Sequence, residues 1–161
     1  MAEPEDVRTA TSAHALRAIH ATRARSAQER AAATCRHAGI GPDAAETVPK
    51  SPVGRAAHAL LLSAASLDAL AGRSPDPAAD ARCARNAAAA AALAAQVAHA
   101  TASPDGATEA TEALRTALAA SQAAAIAAGG TAGGRNTALN TAADEAETQA
   151  GRAAREAGWT G

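Results

Sequence analysis

Six consecutive alanines, Ala87 to Ala92, sit inside a fifteen-residue stretch, Asn86–Ala100, that holds ten alanines in all. Such a segment favours helix, because alanine loses no side-chain entropy on folding and is the best helix former known. The bias runs through the whole chain. Alanine supplies 56 of 161 residues, whereas Leu, Ile, Val, Met and Trp together supply 19 and Phe and Tyr none. A shortage of large apolar residues signals disorder when the net charge is high, but here the net charge is −1. Each buried methyl still gains on the order of 0.8 kcal/mol. An alanine core can therefore be stable if its helices come near the close end, about 8 Å, of the usual separation.

Punctuation divides the chain into five helical segments. The first, about 4–38, stops at Gly39-Ile40-Gly41-Pro42, a strong breaker. A loop follows, with room for one turn at Asp43–Thr47. Ser51-Pro52 reads as N-cap and first helical residue of a second helix, 52–71, that ends at Gly72. Asp76-Pro77 repeats that signal for a third helix, 77–102, and Ser103-Pro104-Asp105-Gly106 turns the chain into a fourth, 107–128. Gly129-Gly130 ends it, and the fifth starts near Asn136 or Thr137 and runs to about 157. No strand pattern occurs. Short links between long helices predict an all-α, single-domain up-and-down bundle of about five closely packed, alanine-rich helices.

Periodicity suggests which faces meet. In the third helix Ala79, Cys83, Asn86, Ala90, Leu93, Val97 and Ala100 alternate at spacings of four and three, an apolar stripe. The first helix offers Ala13, Leu16, His20, Ala24, Ala27, Ala31, Cys35 and Ala38, and the fifth Leu139, Ala143, Ala146, Ala150, Ala153 and Ala157. The second helix, with Val53, Leu60, Leu61, Leu62, Leu67 and Leu70, is expected to be either central or a dimer contact. Charge is uneven. Between Arg17 and Ala38 of the first helix, Arg17, Arg23, Arg25, Arg30 and Arg36 face one acid, Glu29, whereas Asp105, Glu109, Glu112, Asp144, Glu145 and Glu147 dominate 105–147. These groups can pair within the chain, pair between copies or remain solvated.

Chemistry is sparse. Five histidines (His14, His20, His37, His58, His99) and two cysteines (Cys35, Cys83) show neither HExxH nor CxxC spacing. His20 and Cys35 lie about 22 Å apart along one helix. No metal and no cofactor are expected, and the cysteines read as buried thiols. Asn86 on the presumed core stripe needs partners and is expected to set helix register, with a ligand role second. Arg82, Arg85, Asn86, His99 and His58 are the candidate ligand-binding residues. Gly130, Gly133, Gly134 and Arg135, in the glycine-rich link before the fifth helix, could cradle an anion. No catalytic residue is identifiable, and Trp159, the only aromatic, either folds back on the last helix or meets a partner.

Balanced charge gives nucleic acid no support, and no segment has the length and apolarity of a membrane span. The acidic start lacks the features of a signal peptide, so a cytoplasmic protein is expected. Arginine outnumbering a single lysine fits a bacterial GC-rich genome. The functional expectation is a helical interaction or regulatory module acting through helix faces on a protein partner or on itself. The alternative is a small-molecule-binding protein or cofactor-free enzyme with a site between helices around Asn86, Arg85, His99 and His58.

Overall fold

The computed structural model describes residues 3–46 and 48–161, with side chains from residue 13 onward. Five helices account for most of the chain: α1 (Glu3–His37), α2 (Pro52–Ala71), α3 (Pro77–Ala100), α4 (Ala107–Ala128) and α5 (Thr137–Glu156). Single 3-10 turns occupy Pro42–Ala44 and Pro104–Gly106, and no strand occurs among the described residues. The turn expected at Asp43–Thr47 forms slightly earlier, and Thr47 lies outside the described residues.

The boundaries follow from side-chain chemistry. Ser51 Oγ accepts from Gly54 N–H at 3.0 Å, Asp76 Oδ1 from Ala79 N–H at 3.3 Å, and Asn136 Oδ1 from Leu139 N–H at 3.0 Å. Each cap satisfies a first-turn donor that the helix itself cannot. Two helices end in the same way. After α1, Gly39 N–H reaches Arg36 O and Ile40 N–H reaches Cys35 O; after α5, Gly158 N–H reaches Arg155 O and Trp159 N–H reaches Ala154 O. This paired closure is the Schellman motif, and it turns the next apolar residue back onto its own helix. Ile40 thereby packs on Cys35 and α2, while Trp159 is buried among alanines of α3, α4 and α5.

Helix α3, not α2, holds the centre. Fourteen of the 24 residues of α3 are buried, against five of the 20 in α2. An alanine helix admits neighbours from several sides at once, and α1, α2 and α4 all pack on α3. The leucines of α2 instead hold it at the periphery, where Leu61 and Leu62 face solvent. Around the molecule α1, α3, α4 and α5 form a ring of adjacent pairs, with α2 laid outside against α1 and α3.

Core clusters give the directions. Ala21 and Ala24 pack with Cys83 and Ala84, Ala27 with Ala87 and Ala88, Ala31 with Ala90 and Ala91, and Cys35 with Ala94 and Val97. Positions in α1 and α3 rise together, so these two helices run parallel. Successive helices alternate in direction, but the closest pairing skips one. No helix among the described residues is long and apolar enough to cross a membrane.

Ala27 has no exposed surface and meets Ala87, Ala88 and Ala124 where α1, α3 and α4 converge. Ala27→Leu should therefore force the backbones apart and cost about 1–3 kcal/mol, read as a lower urea midpoint. Ala125→Leu, on the solvent face of α4, should leave that midpoint within experimental error.

Candidate functional site

Two regions carry features beyond helix packing: a polar network at one end of the ring and along its α1/α5 side, and the outer face of α2. The network begins at Asp80, which has no exposed surface. Its Oδ2 accepts from Arg17 Nε at 2.9 Å and from Asp76 N–H at 3.1 Å, and its Oδ1 accepts from Arg73 Nη2 at 3.2 Å. Burial pushes the Asp80 carboxyl up, but the Arg17 hydrogen bond, the Asp76 N–H and Arg73 together hold it below its ordinary value. Arg17 also donates to the carbonyls of Arg73 and Ser74. One arginine thus ties α1 to the turn between α2 and α3.

His20, also without exposed surface, sits one turn further along α1. Its Nε2 lies 2.9 Å from Gly134 O and its Nδ1 3.0 Å from Arg23 Nη2. A carbonyl can only accept and a guanidinium can only donate, so the partners assign the neutral tautomer protonated at Nε2. Burial lowers the His20 pKa; the Gly134 carbonyl opposes this, and Arg23 reinforces it. Asn140 Nδ2 donates to the same carbonyl at 3.0 Å. Gly134 has φ +78°, and a Cβ there would collide with Pro77 O and lie 2.8 Å from Ala81 Cβ. Only glycine brings this carbonyl so close to α3 and into the reach of His20.

Two ion pairs continue the network between α1 and α5, and they behave differently. Arg30 grips Glu147 through both Nε (3.1 Å) and Nη2 (2.7 Å), while Ser26 Oγ donates to the same carboxylate at 3.0 Å. Both ionic side chains are nearly inaccessible, at 5% and 6%. Arg23 Nη1 reaches Asp144 Oδ1 only at 3.4 Å, and the buried Arg23 Nε has no partner. Burial lowers the Arg23 pKa and raises that of Asp144, so this long contact does not offset the desolvation of either group. Above these pairs, two adjoining hollows of about 380 and 360 Å³ share Ser26 and Glu147 and form a furrow of mixed charge.

The network leaves two buried polar atoms unpartnered, Arg23 Nε and Asn140 Oδ1, but presents no reactive pair. Glu147 is neutralised by Arg30, and both nitrogens of His20 are engaged, so neither is a free base beside the Ser26 hydroxyl. Cys35 and Cys83 are free, buried thiols, and burial pushes the Cys35 thiol up, away from the thiolate form. No group of three or more His, Cys, Asp or Glu among the described residues is arranged to hold a metal ion.

The sequence candidates do not assemble. Asn86 is exposed rather than on the core stripe, with Arg85 Nη2 3.4 Å from its Oδ1. Its strip of α3, which includes exposed Arg82, Gln96 and Ala100, is the solvent side. The stripe drawn through Asn86 runs along the edge of the buried arc, whose centre lies near Ala84, Ala87, Ala91 and Ala98, and alanine on every side hid the difference. His99 Nε2 lies 3.2 Å from Thr111 Oγ1, about 20 Å along α3 from Arg85. His58 is half-buried on α2. In the glycine-rich link, Gly133 N–H is 3.4 Å from Gly129 O, Gly134 N–H 2.9 Å from Ala127 O, and Arg135 N–H 2.8 Å from Ala132 O. Those three donors serve the link itself instead of converging on an anion, and Gly130 is an exposed turn residue.

The α2 face is simpler. Leu61 and Leu62 are 48% and 58% exposed, beside exposed Ala65 and Ala69. Adjoining Leu61 is an apolar recess of about 300 Å³ lined chiefly by Ala32, Cys35, Ile40, Pro42, Ala57 and Leu60. Sequence reasoning noted these leucines but did not find the recess, which depends on Ile40 folding back. No protein-family model matches the chain, and no curated protein or solved structure matches it.

Removing the Glu147 carboxylate (Glu147→Ala) strands the nearly inaccessible Arg30 without its counter-ion and should cost about 3–5 kcal/mol, measured by chemical denaturation. His20 makes stability depend on pH. Its folded pKa is below the unfolded value of about 6.5, so the unfolded chain binds the proton more readily and stability falls as pH drops from 7 toward 5. His20→Gln offers an amide donor and a carbonyl acceptor without titrating. Stability measured at pH 7.5, 6 and 5 should decline less in this variant; equal slopes in both proteins would rule out His20 as the source.

Proposed function

We propose that the protein is a helical interaction module whose contact surface is the outer face of α2, acting on a protein partner or on itself. The observation that carries this reading is the pair Leu61–Leu62. The chain has ten leucines, and two adjacent ones stand about half exposed while alanines fill the core. Scattered exposed apolar residues are ordinary. Adjacent leucines continuous with exposed alanines and an apolar recess form instead a patch of the kind that marks interaction sites. Helix-to-helix recognition uses such an apolar strip with polar flanks. The buried polar groups support the reading indirectly, since His20 and Glu147 are engaged by Gly134, Arg23 and Arg30 and offer no reactive pair.

The test is the double substitution Leu61→Glu/Leu62→Glu. Both side chains project into solvent, so circular dichroism and the urea midpoint should remain close to those of the parent. Association, with itself by light scattering or with a purified partner by calorimetry, should weaken at least tenfold. Association unchanged by the two glutamates would place the contact surface elsewhere.

A further inference from the structure

The exposed strip of α2 has a symmetry that points to its occupant. Arg55 lies six residues before Leu61, and Asp68 lies six residues after Leu62. His58 lies three before Leu61, and Ala65 three after Leu62. Arg55, Leu61, Leu62, Ala65 and Asp68 are all exposed, and His58 is half-buried on the same side. From the pairing of complementary residues at equal distances about this midpoint, we infer that the α2 face binds the α2 face of a second copy of this chain, antiparallel about a two-fold axis between Leu61 and Leu62. The inference rests on the reading of α2 as the contact surface and adds the partner and the register.

The two-fold makes every contact occur twice. At the centre Leu61 of one copy lies beside Leu61 of the other, and Leu62 beside Leu62. His58 lies at the level of Ala65 of the second copy, where a methyl side chain leaves space for the imidazole. Arg55 lies at the level of Asp68 of the second copy, and the reciprocal pair closes the other end. A parallel arrangement would instead place arginine against arginine and aspartate against aspartate. Arg55 and Asp68 occupy opposite edges of the strip, since thirteen residues fall short of a whole number of helical turns. A left-handed crossing of about +20° swings each arginine toward the aspartate it is to meet and seats the leucines as knobs between the helices. Position in the fold permits the approach, because α2 lies outside the ring formed by the other four helices.

Charge reversal tests both the partner and the register. The parent protein should show concentration-dependent dimerisation by sedimentation velocity. Arg55→Asp alone and Asp68→Arg alone each juxtapose like charges at both ends and should weaken the dimer about tenfold. The combined variant Arg55→Asp/Asp68→Arg restores opposite charges and should return the dissociation constant to within about threefold of the parent. Spin labels placed at position 55 of the two copies should lie roughly 20 Å or more apart in the antiparallel pair, whereas labels at position 62 should be close. A parent that stays monomeric at several hundred micromolar overturns self-pairing, and the contact face itself then stands or falls with the two-glutamate variant and a different protein. Dimerisation that is lost in the single reversals but not recovered in the combined variant overturns the antiparallel register. Dimerisation indifferent to charge reversal and to Leu61→Glu/Leu62→Glu alike overturns both readings.

Discussion

Methyl groups hold two helices together only where nothing bulkier stands between them. That requirement explains the place of α3, whose alanines let α1, α2 and α4 approach from three sides. It explains equally why α2, the helix richest in leucine, is peripheral. A leucine in this interior would hold backbones apart, and at a meeting point such as Ala27, Ala87, Ala88 and Ala124 there is no free space to absorb it. The large apolar residues therefore appear where helices end or where the surface begins: Ile40 and Trp159 beyond their caps, Leu61 and Leu62 on the outside.

Close approach alone does not say where one alanine helix should stop sliding along another. Smooth stripes repeat themselves every turn. Polar groups with single, directional solutions supply the missing specification, as polar core residues do in some coiled coils. Asp80 receives two arginines and a backbone N–H, His20 finds the one carbonyl that Gly134 can deliver, and Glu147 takes both arms of Arg30. Sliding by one turn would break the Gly134 contact of His20 and the two-armed grip of Arg30 on Glu147. The long Arg23–Asp144 contact shows the cost of the device, because there burial outweighs attraction for both groups.

Helix limits were legible because caps are local chemistry. Ser51-Pro52, Asp76-Pro77 and Gly129 mark their boundaries within the sequence itself, and α4 begins and ends at the expected residues. Faces were legible in α1 and α5, where charged residues interrupt the alanines often enough to show a side. In α3 the interruptions are too few, and a stripe drawn through Asn86 looked as good as the true one. Which arginines would be inside was hidden for another reason. Arg23 and Arg30 follow the face of His20 and Ala27, whereas Arg25 is exposed beside them. The spacing of seven shared by Arg23 with Arg30, and by Asn140 with Glu147, was the available sign. Its meaning appears only when α1 and α5 run parallel, and that depends on chain tracing rather than on any single segment.

Around the four-helix ring, three sides are joined chiefly through alanine, with the Arg17–Asp80 pair at one end of α1/α3, and the fourth, between α1 and α5, through ions and hydroxyls along a furrow. Separating an alanine side would wet methyl groups, which water resists. Separating the α1/α5 side would hand guanidinium and carboxylate groups to a solvent that hydrates them well. Of the four sides, α1/α5 is thus the one whose opening would wet the fewest methyl groups, while α5 would stay joined to α4.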